Sequence, residues 1–118
     1  MKYFAILFAF LFCAVCGQQS LAATETLQNA TVLEILRNST STYGGCMAKL
    51  NKSTSTASCG SSWVTFGCSG EFISKSKAES YLNLALAAQI TGGKLRVVVN
   101  DAQKYNNYCM VTDLRLTN

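Results

Sequence analysis

Four cysteines, Cys46, Cys59, Cys68 and Cys109, carry most of the reactive chemistry in the body of this chain. They form no Cys-x-x-Cys pair, and no histidine occurs in the 118 residues. Ser-His-Asp and Cys-His catalysis and histidine metal sites are therefore excluded. Oxidised cysteines would also remove any thiolate nucleophile. Glu71 and Glu79 could form a carboxylate dyad of the kind that hydrolyses glycosides. One lies in a loop and the other at an expected helix start, so structural roles explain both better. "TGGK" at 91–94 lacks the rest of a phosphate loop, and its glycines serve as a helix stop. No catalytic residue, metal or cofactor is expected, and the chain is not expected to be an enzyme.

Binding chemistry is easier to find. Trp63 alternates with Val64 and Phe66 in "SWVTF", which places its indole on the opposite face of a strand. An exposed indole is a platform for the apolar face of a sugar. "KYNNY" (104–108) gathers Tyr105, Asn106 and Tyr108 into one turn. Both features also have plain structural explanations. Trp63 could pack under a helix or against a disulfide, and Asn-Asn is ordinary turn chemistry.

These groups need a frame, and the chain is short. Lys2 followed by the apolar run Phe4–Val15 is too brief for a membrane span of about 20 residues. With a polar stretch at Gln18–Ser20 and small residues at Ala22 and Ala23, residues 1–23 are expected to be a signal peptide, cut after Ala22 or Ala23. A signal anchor would need a longer run, and a lipobox ending at Cys16 would need a small residue in place of Val15. The expected product is a single secreted domain, residues 24–118, extracellular or periplasmic. Cys13 and Cys16 leave with the leader. A core this small usually needs covalent help, and four remaining cysteines imply two disulfides. Three pairings are open. Cys46–Cys59 with Cys68–Cys109 is preferred, because it closes one loop and ties the ends of the helical unit.

The elements follow from periodicity and punctuation. "TETLQNATVLEILRNSTST" (24–42) centres on Val32, Leu33, Ile35 and Leu36, and predicts one strand. "NSTSTYGG" is a turn. Cys46–Leu50 and Ser62–Cys68 are strands on either side of a polar loop. Ser76 and Glu79 form an expected capping box, opening a helix that Gly92 stops. "KLRVVVN" is a strand with Leu95, Val97 and Val99 inward, "DAQKYNN" a turn, and "YCMVTDLRL" the closing strand. In that last strand Met110, Thr112, Leu114 and Leu116 share one face. The fold expected is α+β, mainly β: a small five- or six-stranded OB-like barrel with one long helix before the last two strands and two disulfides.

The helix is unusually apolar and carries alanines at 78, 85, 87 and 88. Alanine is the best helix former and packs closely on a tight barrel; it also lets another subunit approach. Short strands, this helix, then "GGKLRVVVND" and a final cysteine-bearing strand resemble the B-subunits of bacterial AB-type toxins, notably the pertussis-like and typhoid or subtilase cytotoxin subunits. The resemblance covers about residues 59–117. It also extends to small uncharacterised secreted bacterial proteins with a "C…W…helix…GK-V-V…C" layout. The toxin resemblance implies an OB-type barrel, a homo-oligomeric ring of five and binding of cell-surface glycans or a glycoprotein. It places candidate ligand contacts at Ser61 and Ser62, and a candidate subunit interface at Tyr81, Ala85 and Ala88. No catalytic subunit is present in this chain, so toxin action would need a separate protein. The alternatives are a self-assembling filament or coat subunit and a monomeric secreted inhibitor or effector.

Charge adds little. The net charge is +4, with scattered basic residues, so a nucleic-acid footprint is not supported. Asn29, Asn38 and Asn51 each begin an Asn-x-Ser/Thr acceptor pattern, which matters only in a host that glycosylates asparagine.

Overall fold

The structure is a computed structural model that describes residues 21–55 and 57–117. The expected signal peptide lies outside the described residues up to residue 20. The chain forms a small α+β domain, mainly β, with one mixed six-stranded sheet and one helix. The elements are β1 (Thr24–Ala30), β2 (Val32–Arg37), β3 (Cys46–Leu50), β4 (Trp63–Thr65), α1 (Lys75–Thr91), β5 (Lys94–Tyr105) and β6 (Tyr108–Thr117). Strand order is β1-β5-β6-β4-β3-β2, antiparallel except for the parallel contact of β4 with β6.

The first segment is two strands, where the sequence predicts one. Asn29 takes a positive φ of 53° and redirects the chain. β1 and β2 then lie at opposite edges of the sheet, joined only by Thr31. A flat sheet of six strands would hold its edges roughly 24 Å apart. A one-residue link spans at most roughly 7 Å. The sheet must therefore curl strongly. No ladder joins β1 to β2 among the described residues. Asn51 N donates to Thr31 O at 3.1 Å and continues the β2–β3 pairing, and the chain just beyond it reaches across to β1: Lys52 Nζ donates to Gln28 O, and Ser55 N donates to Glu25 Oε1 at 2.8 Å.

Inside the curl, Leu27, Val64, Phe66, Leu95, Val97 and Val99 form the core, as expected for the alternating residues of β5. The alternation predicted for β6 fails. Val98 pairs with Asp113 and Val99 with Val111, so Thr112 is an extra residue. This bulge flips the facing residues on either side of it. Val111 and Leu114 are both buried, while Thr112 is exposed and Leu116 is 45 % exposed. The carbonyl freed at Thr112 accepts from the Tyr81 hydroxyl at 2.9 Å and ties the helix to the sheet.

Helix α1 starts earlier than the predicted capping box. Its N-cap is Ser74, whose hydroxyl accepts from Lys77 N at 3.2 Å. Ser76 sits inside the first turn, and its carbonyl accepts from the Ser80 hydroxyl. The helix stops as predicted at Gly92, whose φ of 68° is left-handed. Its buried stripe is Ala78, Leu82, Ala85 and Ala88. Three of the four are methyl-sized, so the helix axis lies close to the sheet, and Leu82 alone contributes about 1.5–3 kcal/mol of burial.

Both disulfides differ from the preferred pairing. Cys46 joins Cys68, and Cys59 joins Cys109, each with Cα atoms 5.5 Å apart. The β3–β4 ladder explains this: Met47 pairs with Thr65, bringing the neighbouring Cys46 and Cys68 together. Strand β4 ends at Thr65, short of the predicted Cys68, because Gly67 turns the chain at φ 77°. Strand β5 runs on through the predicted "DAQKYNN" turn. The turn proper is Asn106–Asn107, with φ of 48° and 69°, closing a two-residue hairpin.

Candidate functional site

A cleft of about 560 Å³ lies between the β2–β3 loop and the start of α1. Arg37, Asn38, Ser39, Thr40 and Ser41 form one wall, with Gly45, Cys68 and Ser69 behind. Lys75 and Glu79 close the helical side. Most of these residues carry a group that donates or accepts hydrogen bonds, while the exposed lining is shared about evenly between polar and apolar surface.

Arg37 links its two walls. It is the last residue of β2, and its guanidinium forms an ion pair with Glu79 of the helix. The same guanidinium nitrogen donates to Cys68 Sγ at 3.9 Å. Both partners of the ion pair are exposed, so it adds no more than about 1 kcal/mol to stability. Its groups face solvent and remain open to a ligand. Glu79 is thereby accounted for as the partner of Arg37, away from any dyad with Glu71.

The loop wall is prebuilt. Asn38 Oδ1 accepts from Thr40 N at 2.9 Å and from the Thr40 hydroxyl at 3.1 Å. Asn38 N donates to Gly45 O at 2.9 Å, and Ser69 N donates to Gly44 O at 2.8 Å. Gly44 has φ 78°, and a Cβ there would meet Thr65 Oγ1 at 2.5 Å and the Tyr105 ring at 3.0 Å. Only glycine fits. Beneath it, fully buried Thr65 donates to Tyr43 O at 2.7 Å and accepts from Gly67 N at 3.3 Å. One hydroxyl thus joins both loops that frame the cleft, and the Cys46–Cys68 bridge holds their bases.

An aromatic group adjoins the cleft through Ser69. The Ser69 and Tyr105 hydroxyls are 2.9 Å apart. Phe72 stacks at a tilt on Tyr105, with centroids 4.9 Å apart, and Tyr43 meets Tyr108 edge-on at 5.6 Å. Tyr105 is only 4 % exposed and acts as a strut. Phe72 is exposed, and Tyr43 and Tyr108 are half-buried.

The structure scatters the remaining predicted residues. Asn106 is exposed in the hairpin turn. Trp63 is half-buried on β4, and among the described residues no ring contact joins it to the tyrosines. The Ser61 hydroxyl accepts from Trp63 N at 3.0 Å, and Ser62 O accepts from Leu50 N at 2.8 Å, so both serines build their loop. Ala85 and Ala88 are wholly buried against the sheet of their own chain, out of reach of a second subunit. Tyr81 is half-buried at the helix–sheet seam, with its ring 6.5 Å from Phe66.

Sequence reasoning did not find Arg37 and Lys75, and it weighed Glu79 only for a dyad with Glu71 and for a capping box. They belong to separate elements, and no local spacing connects them. The polar run Asn38–Thr42 was the available signal, and it reads equally as an ordinary turn.

Both disulfides are compatible with an extracellular or periplasmic location. Among the described residues no cluster of acids or cysteines could hold a metal ion, and no helix is long and apolar enough to cross a membrane. Comparison with known proteins finds no matching family model, no matching curated protein and no matching solved structure.

Proposed function

We propose that this chain is a secreted, non-enzymatic glycan-binding protein, and that its sugar site is the cleft around Arg37 and Glu79. The observation that carries this reading is the composition of the cleft: one guanidinium, one ammonium, one carboxylate and a run of hydroxyls and amides. A sugar presents alternating hydroxyl donors and acceptors, and such a lining can satisfy them in both directions. Its volume of about 560 Å³ lies within the range of small-ligand sites. The exposed Phe72 and the half-buried Tyr43 and Tyr108 offer apolar faces nearby for a second sugar ring.

The reading keeps the OB-like barrel, with the curled sheet as its wall and α1 covering one side. It also keeps the likeness to toxin B-subunits, in which copies assemble so that weak sites act together. Assembly would have to use surfaces other than Ala85 and Ala88; a catalytic chain, if there is one, would be a separate partner.

A glycan array probed with the purified protein tests the reading. Selective binding to a subset of glycans, reduced about tenfold or more by Arg37→Ala, is expected, since hydrogen bonds to charged groups are worth about 1.5–3 kcal/mol. A silent array, or full affinity in Arg37→Ala, contradicts it. Light scattering on the same sample gives the subunit count, and a monomer would end the ring part of the reading.

A further inference from the structure

Outside the cleft, the start of β1 is held by an acid. Ala23 N donates to Asp101 Oδ1 at 2.7 Å, and Asp101 N donates back to Ala23 O at 3.2 Å. The other carboxylate oxygen accepts from Ser58 N at 2.9 Å. Asp101 is offered by a break in the β5–β6 register between Asn100 and Lys104. One residue further on, Asn100 Nδ2 donates to Thr24 Oγ1 at 2.8 Å. One residue back the attachment ends: Ala22 is exposed and Leu21 is 90 % exposed. Both line a recess of about 380 Å³ with Ser58, Asp101, Ala102 and Lys104.

A charged carboxylate aimed at one neutral peptide nitrogen is a strong acceptor matched to a weak donor. The match improves if that nitrogen is a chain terminus. Cleavage before Ala23 would turn it into an α-ammonium with three protons, already at hydrogen-bond distance from a full negative charge. The local sequence agrees: Ser20 and Ala22 place small residues third and first before that bond, as leader removal requires. Cleavage one residue later would put Leu21 at the third position and would strip Asp101 Oδ1 of its partner.

We propose that the Ala22–Ala23 peptide bond is the processing site of this chain, and that Asp101 is the receptor for the terminus it releases. The step is hydrolysis. Water adds across the bond, Ala22 leaves as a carboxylate, Ala23 N takes up the protons of an ammonium, and nothing is oxidised or reduced. The Ser58 and Ala23 amides hold the Asp101 carboxyl below its usual range, with Lys104 nearby adding to the effect. The acid is therefore ionised when the new terminus arrives. Lys104 Nζ is turned towards Ser58 Oγ, at 2.9 Å, so it has its own partner.

The test uses the full chain secreted from a host that removes leaders. Mass spectrometry and terminal sequencing should give Ala23 as the first residue. A first residue at Thr24 or beyond, or an uncut chain, overturns the proposal. The rate of α-amine acylation at about pH 7 then tests the receptor on the wild-type protein. A terminus paired with the Asp101 carboxylate keeps its proton to higher pH, so the folded chain should react about tenfold more slowly than the same chain in denaturant. Asp101→Asn should bring the folded rate up to the denatured one. Equal folded and denatured rates in the wild type, or slow acylation that survives Asp101→Asn, overturn the role of Asp101.

Discussion

Two regions of this molecule each rest on a disulfide and use it differently. The Cys46–Cys68 bridge underlies a cleft whose charged groups, Arg37, Lys75 and Glu79, face solvent. The Cys59–Cys109 bridge underlies a region where Asp101, Ser58, Lys104 and Ala23 are bonded to one another. The first keeps donors and acceptors available. The second uses them to fasten the chain's first strand. The same residue chemistry can make a binding surface or a clasp: the cleft's ion pair of Arg37 and Glu79 stays exposed to solvent, whereas the clasp spends both oxygens of Asp101 on backbone N–H groups of the chain.

The comparison can be broken most forcefully at the bridges. Cys59–Cys109 closes a separation of 50 residues and Cys46–Cys68 one of 22. Loop entropy then predicts losses of about 4 and about 3 kcal/mol when each pair is replaced by alanine. Denaturant unfolding of the two double variants measures this, and a larger loss for the shorter bridge would reverse the ranking.

The next effect is at Gly44. Gly44→Ala combines a left-handed backbone with overlap on Thr65 and Tyr105. A loss of roughly 1–3 kcal/mol is expected from the backbone alone, and more with the overlap. Thermal unfolding checks it; a neutral result would mean the loop does not need this conformation. Thr65→Val removes the hydroxyl shared by Tyr43 O and Gly67 N, at a cost of about 1–3 kcal/mol. It should also weaken ligand binding, because both framing loops lose their common anchor. Calorimetry on that variant would separate the two effects.

Acid should distinguish the regions most finely. Asp101 has a folded pKa below its ordinary value, held down by the Ser58 and Ala23 amides. Its contribution is therefore present above the unfolded value, about 3.9, and is lost as pH falls through the folded one. Hydrogen exchange measured across that range should show the Ser58 amide, which donates to Asp101, losing protection first. The Ser69 and Gly44 amides are held by carbonyls and should not respond. Simultaneous loss at both places would erase the contrast.

Much of the frame was legible from residue order. Leu95, Val97 and Val99 alternate, Gly92 stops the helix, and the four cysteines beyond residue 23 pair off. The misses share one cause: each turned on a local irregularity that periodicity cannot register. Asn29 splits the first strand, Thr112 inverts the face of β6, and Gly67 ends β4 early. The Ser74 cap lies two residues before the expected one, with its hydroxyl on Lys77 N, and Glu79 pairs with Arg37 of β2 where the capping box would have it reach back along its own helix. The cleft was hidden for a related reason. Its charges come from β2 and α1, and only the curled sheet brings them together.

Amide spectra of the protein titrated with the strongest glycan from the array test the central claim most directly. Shifts are expected to concentrate at Arg37–Ser41, Ser69, Lys75 and Glu79, with Ser58 and Asp101 unmoved. Shifts centred on Trp63, or on the Asp101 clasp, with the cleft silent, would contradict the account.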